Sequence, residues 1–139
     1  MKITITYIQT TGNWELNIDG KIDEYASHAD CLQIGLFDCC GCGMPEENLE
    51  YILGGLELIA DRGPELHGPS ADQEAWDKWW AQHRDWVVQH HGSMKAAYFF
   101  YYWADNLNLT EHSGSVPGWL TEKGNIVLEL LRSWNSNRE

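Results

Sequence analysis

The chain has 139 residues, of which 43% are hydrophobic and 12% aromatic, with eight tryptophans among them. This composition is typical of a folded globule and excludes an intrinsically disordered chain. Twenty-one acidic and nine basic residues give a formal net charge of −12, which excludes direct binding of nucleic acid or of an anionic membrane through a basic surface. The length predicts a single domain over residues 1–139, large enough to bury a core without disulfides.

The N-terminal segment is predicted to form antiparallel β structure. Residues 1–8 and 14–18 both alternate apolar and polar side chains, which predicts two strands. The turn between them is too long for the two-residue type, and Asp19-Gly20 predicts a second turn before a third short strand at 21–25. Because a hairpin alone is marginal in water, its apolar face is expected to pack on the helices that follow.

The start of the chain lacks the apolar run of a signal peptide. No segment approaches the roughly 18 apolar residues of a membrane span either. We therefore expect a cytoplasmic protein in a reducing compartment, where the four cysteines are free thiols or metal ligands rather than disulfides.

The rest of the chain has the periodicity of helices. Four are predicted, over 45–61, 72–91, 94–106 and from Thr121 onward, with residues 133–139 as a frayed tail. Ser70 and Gln73 match a capping box for the second helix. The third is apolar nearly all round, which indicates a buried central helix or, as an alternative, a buried strand. The expected fold class is therefore α+β, a short N-terminal antiparallel β-hairpin or sheet packed on about four helices.

Acidic residues are concentrated in one part of the chain. Residues 19–77 hold 14 acids and 2 bases, a balance of −12, whereas the remainder holds 7 of each, so the entire net charge lies in that segment. On the helix over 45–61, four of these acids share one arc beside the apolar arc: Glu46, Glu50, Glu57 and Asp61. This stripe predicts a surface that docks on a basic protein partner in the manner of a row of phosphates. The alternative is an ordinary solvated helix face.

A cluster of histidine and cysteine precedes that helix. The spacing of His28, Cys31, Cys39 and Cys42 forms two short ligand pairs, which is typical of a tetrahedral structural zinc site. The seven residues between the pairs are fewer than a zinc finger usually has. Three substitutes remain open: Cys40 for Cys39, and His67 or His112 for His28. The alternative is that the cysteines are simply buried side chains.

A second interpretation of the same cluster is that the protein is a thiol enzyme. Cys39 or Cys42 would lie near the start of a helix, whose dipole stabilises a thiolate. The neighbouring acids Asp38, Glu46 and Glu47 would raise the thiol pKa instead. The chain contains no Gly-rich phosphate loop, no GxSxG elbow and no HExxH helix, so no motif indicates catalysis.

Tryptophan and histidine share one side of the helix over 72–91. This side consists of Trp76, Trp79, Trp80, His83, Trp86, Val87 and His90. The simplest interpretation is a core face. If several of these tryptophans are exposed, they become anchors of an interface, most simply one between copies of the chain in a homo-oligomer.

Two stretches carry a resemblance. DCCGCGMPEE at 38–47 and GSVPGWLTEKG at 114–124 resemble segments of small uncharacterised phage-type accessory proteins. The resemblance implies an accessory protein that acts by binding a host component such as a defence system, and it assigns no functional residue. With the charge, it favours a non-enzymatic acidic inhibitor that docks on a basic surface of a host protein. The alternative is a small zinc- or thiol-dependent protein that uses the 28–42 cluster.

Overall fold

The structure is a computed structural model of the chain, and it describes residues 1–38, 46–62, 73–111 and 118–138. These residues belong to two compact units, one formed by Met1–Leu53 with Ile126–Glu139 and the other by Gly54–Asn125. The single domain expected over the whole chain stays a prediction. The capping box at Ser70 falls outside the described residues.

The strands and helices follow the α+β order expected from the sequence, and this fold class is confirmed. Three strands come first, β1 (Ile3–Tyr7), β2 (Trp14–Ile18) and β3 (Lys21–Tyr25). One helical turn, α1 (His28–Asp30), continues into a π-helix (Cys31–Leu36). The remaining elements are α2 (Glu46–Arg62), α3 (Gln73–His91), α4 (Met94–Asn106), β4 (Thr110–Glu111), β5 (Trp119–Leu120) and α5 (Glu122–Ser136).

The N-terminal sheet is antiparallel, with β2 between β1 and β3. Its register places Ile5 opposite Leu16 and Ile18 opposite Lys21. Asp19 and Gly20, the two residues between β2 and β3, have φ angles of 51° and 93°. Positive φ at both positions is what a two-residue type I′ hairpin requires, and the Asp-Gly pair adopts it readily. The second turn predicted from the sequence is therefore confirmed.

The short apolar run after α1 forms a π-helix, Cys31–Leu36. Its wide turn shows in the hydrogen bond from the Phe37 N–H to the carbonyl of Leu32, five residues earlier, at 2.9 Å. A Cβ at Gly35 would collide with the side chain of Leu16 in β2 and lie 3.3 Å from the ring of Tyr25 in β3. The absence of a side chain at Gly35 therefore lets the π-helix pack closely on the sheet.

The C-terminal helix α5 begins at a side-chain cap and carries the apolar face that its spacing predicts. The hydroxyl of Thr121 accepts a hydrogen bond from the Gly124 N–H at 3.0 Å. The buried residues of this face are Val127, Leu128, Leu131 and Trp134. The helix continues to Ser136, so the frayed tail predicted from residue 133 is wrong over these residues. The buried indole of Trp134 explains the extra turn, because it holds that part of the helix in the core of its unit.

Helices α3 and α4 pack on each other and are separated by Gly92 and Ser93. Gly92 has a φ of 88°, which ends α3, and the Ser93 hydroxyl accepts a hydrogen bond from the Ala96 N–H at 3.1 Å, which starts α4. The buried side of α4 consists of Ala97, Phe100 and Ala104. The expectation that α4 is buried all round is wrong, because three large aromatic side chains on its other side are exposed: Tyr98, Phe99 and Tyr102.

The end of α4 is held by the start of α5. Three successive carbonyls accept hydrogen bonds there: Leu107 from the Lys123 ammonium at 3.0 Å, Asn108 from the Thr121 hydroxyl at 2.6 Å, and Leu109 from the Thr121 N–H at 3.0 Å. The first of these bonds satisfies the carbonyl of the C-cap residue Leu107, which the helix leaves without an intrahelical partner. None of the described helices is both long and apolar enough to cross a lipid bilayer.

Candidate docking surface on helix α2

Helix α2 separates apolar from acidic side chains. In the first unit Leu49 and Ile52 are buried while Glu47 and Glu50 are exposed. In the second unit Leu56 and Ile59 are buried, Glu57 is half-buried and Asp61 is exposed. The side chain of Glu46 lies outside the described part of the structure. The burial pattern therefore agrees with the two arcs read from the sequence, while the docking role of the four acids stays a prediction.

Glu50 has a basic partner within its own unit. The Arg138 guanidinium donates a hydrogen bond to its carboxylate and also lies over the ring of Trp134, 4.5 Å from the ring centroid. Since the indole is buried, it gives the guanidinium a fixed platform. Part of the negative charge at Glu50 is therefore compensated by the chain itself. Sequence reasoning missed Arg138 because it assigned this residue to a frayed tail.

Glu57 and Asp61 form the second acidic pair. Four residues separate them, so they lie one helical turn apart, about 6 Å along the axis. Within the described residues neither carboxylate forms a hydrogen bond or an ion pair.

The position of Asp61 works against the helix that carries it. Asp61 lies in the last turn of α2, where the partial negative charge of the helix dipole disfavours an acid. Glu46 and Glu47 lie in the first turn, where the same dipole favours acids. Helix stability therefore accounts for the acids at the start of α2 and does not account for Asp61.

The structure describes two of the four residues of the predicted zinc site, His28 and Cys31. Their surroundings differ. The His28 imidazole stacks on the indole of Trp14, with centroids 4.5 Å apart and planes inclined by 15°. Burial lowers the pKa of this imidazole. Cys31 has no exposed surface, and burial, with a smaller contribution from Asp30, raises the pKa of its thiol to about 11. In the absence of a metal ion, Cys31 is therefore a protonated core side chain near neutral pH, and zinc binding there would have to release its proton.

The zinc site itself stays a prediction, since Cys39 and Cys42 lie outside the described residues, as do the substitutes Cys40, His67 and His112. Across residues 1–38, 46–62, 73–111 and 118–138, no three histidine, cysteine or acidic side chains are grouped closely enough to hold a metal ion.

The tryptophan side of α3 is described only near its C-terminal end. Val87 and His91 are buried there, and Trp86 is half-buried. The opposite side is exposed at Asp77, Lys78, Arg84, Asp85 and Gln89. The side chains of Trp76, Trp79, Trp80 and His83 lie outside the described part. Whether they form a core or an interface stays a prediction.

Comparison with protein-family models, with curated proteins and with solved structures finds no match to this chain.

Proposed function

We propose that this protein is a non-enzymatic acidic protein that docks on a basic surface of another protein through Glu46, Glu50, Glu57 and Asp61. The observation that carries the proposal is the acidic arc of α2 beside its buried leucines and isoleucines, where Glu50 and Asp61 are exposed and Glu57 is half-buried. A net charge of −12 draws the chain toward basic surfaces over long range and repels nucleic acid.

The placement of Asp61 supports this role. An acid at the C-terminal end of a helix costs stability, and such costs are common where a residue serves binding. Glu57 and Asp61 have no partner among the described residues, and a lysine- or arginine-rich surface would meet their two carboxylates one turn apart.

Glu50 would bind differently. Its carboxylate accepts a hydrogen bond from Arg138, so a basic partner has to displace or share that guanidinium. Exposed ion pairs of this kind contribute little free energy in water, so displacing Arg138 from Glu50 requires little free energy. We expect Glu50 to contribute less to binding than Glu57 or Asp61.

We further propose that the protein acts in the cytoplasm of a host cell as a phage-type accessory protein and inhibits a host protein by occupying its basic surface. The free, buried thiol of Cys31 is consistent with a reducing compartment. The resemblance of residues 38–47 and 114–124 to phage-type proteins is the support for the host target.

The test is capture of partners from lysate of the source or host cell, with washes of rising salt concentration. We expect a basic protein to bind at low salt and to be released as salt screens the carboxylates. Reversal of the four acids to lysine should abolish capture while the melting temperature shows an intact fold. Retained capture by this variant would contradict the proposal.

A further inference from the structure

Helix α4 presents an aromatic surface that the core of its unit does not use. Tyr98, Phe99 and Tyr102 are 47%, 76% and 70% exposed. They lie at helical spacings of three and four, so they share one side of α4, opposite the buried Ala97 and Phe100. Together they present roughly 400 Å² of aromatic surface, in the range of patches that are commonly functional.

The charged residues that flank this surface sit at the wrong ends of their own helix. Lys95 lies in the first turn of α4, where the helix dipole disfavours a base, and Asp105 lies in the last turn, where it disfavours an acid. In an antiparallel pair of α4 helices each charge is next to the opposite end of the partner helix. Both charges are then favourably placed.

We propose that this aromatic surface of α4 binds the same surface on a second copy of the chain, in an antiparallel two-fold pair. The spacing of the side chains is self-complementary. Lys95 and Asp105 are centred on position 100, and so are Tyr98 and Tyr102. Rotation about a two-fold axis at that position therefore sets Lys95 level with Asp105 of the other copy, and Tyr98 level with Tyr102 of the other copy.

The surface is small for a stable interface, which needs roughly 800 Å² per partner, so the pair is a weak dimer. Aromatic anchors of this kind carry most of the binding energy in protein interfaces. Each copy has a net charge of −12, so long-range repulsion opposes pairing at low ionic strength. We therefore expect salt to strengthen this dimer, which is the opposite of its effect on acidic docking.

The test is the molar mass of the full chain in solution, by sedimentation equilibrium from micromolar to millimolar concentration at two ionic strengths. The monomer has a mass of 15.9 kDa, and we expect a shift toward twice that value as concentration rises. Phe99→Ser combined with Tyr102→Ser should weaken the dimer tenfold or more. Ile22→Ser is the matched control, since Ile22 is 56% exposed on the N-terminal sheet, and it should leave the dimer unchanged.

A charge exchange tests the antiparallel register. Lys95→Asp and Asp105→Lys should each weaken the dimer, and the two together should restore it to within threefold of the unaltered chain. A monomer at millimolar concentration would overturn the proposal, and so would a dimer that survives loss of Phe99 and Tyr102. A double exchange no tighter than the single variants would refute the register. Each of these results leaves the acidic docking proposal standing.

Discussion

His91 is a histidine that the fold keeps in an apolar environment. It is the last residue of α3 and is 8% exposed, with its ring centroid 5.0 Å from that of Phe100 and 5.8 Å from that of Tyr101. Burial, with a smaller contribution from the charge of His90, lowers the pKa of the His91 imidazole to about 4. An imidazole in the unfolded chain has a pKa of about 6.5.

Folding stability should therefore decrease as the pH falls. Between about pH 6.5 and pH 4 the unfolded chain binds a proton at His91 that the folded chain does not, which removes about 3 kcal/mol of stability across that window. His28, whose pKa burial also lowers, acts in the same direction. Urea unfolding at pH 7.0, 5.5 and 4.5 measures the slope, and His91→Leu should flatten it. The same slope in both proteins would refute this assignment.

Asp61 should be a site where stability and binding oppose each other. Asp61→Asn removes a negative charge from the C-terminal turn of α2 without changing the size of the side chain. We expect the free energy of unfolding to rise by about 0.5 kcal/mol, because the unfavourable interaction with the helix dipole is lost. Partner binding should weaken in the same variant. Chemical denaturation checks the first effect, and a loss of stability would contradict the dipole argument.

At the scale of elements, helix α2 contains two central glycines, Gly54 and Gly55. The side chains that face them account for the absence of larger residues there. A Cβ at Gly55 would lie 2.6 Å from the Phe100 ring, which is buried between the rings of His91 and Trp103. A Cβ at Gly54 would collide with the imidazole of His90, the end of a half-buried side chain. Both glycines therefore allow close packing, at the cost of about 1 kcal/mol each in helix propensity.

Substitution of the two glycines should have different effects. Gly55→Ala gains propensity but forces a methyl group against the buried ring of Phe100, so we expect a net loss of about 1–2 kcal/mol. Gly54→Ala should be less destabilising, because its methyl group meets the end of a half-buried side chain rather than a buried ring. Thermal unfolding of both variants provides the comparison, with Phe100→Leu as a partial rescue of Gly55→Ala. Equal effects at the two positions would contradict this packing.

Some secondary-structure elements could be predicted from the sequence and others could not. Asp19-Gly20 and Thr121 were predictable because turn and cap chemistry depends on a few neighbouring residues. The π-helix was not, since its close approach to the sheet depends on Gly35 facing Leu16, which is distant in the sequence. The aromatic side of α4 was misjudged for a related reason. Composition alone indicated burial, and only the packing of Phe100 shows which side of α4 is inside.

The same limit applies to the candidate site. The arcs of α2 follow from helical periodicity, so the outward acids were predictable. The partner of Glu50 was not, because Arg138 is distant in sequence and reaches Glu50 only through the platform of Trp134. The grouping of the 28–42 cluster depends on Cys39 and Cys42, which the described residues do not include.

At the scale of the whole molecule, the net charge of −12 gives the two proposed interfaces opposite responses to salt. Docking of acidic side chains on a basic partner weakens as ionic strength rises, because the attraction is screened. Pairing of two acidic chains through α4 strengthens, because their repulsion is screened. A complex that contains both interfaces should therefore lose its partner before it loses its dimer as salt is added.

The measurement that tests the central claim most directly is the affinity of the captured partner for two variants of identical net charge. One reverses Glu57 and Asp61 to lysine, and the other reverses Asp85 and Glu129, which are exposed acids outside the acidic segment. Docking through α2 predicts that the first variant binds at least tenfold more weakly and that the second stays within threefold of the unaltered chain. Equal losses in both variants would show that only bulk charge matters and would contradict a docking site on α2.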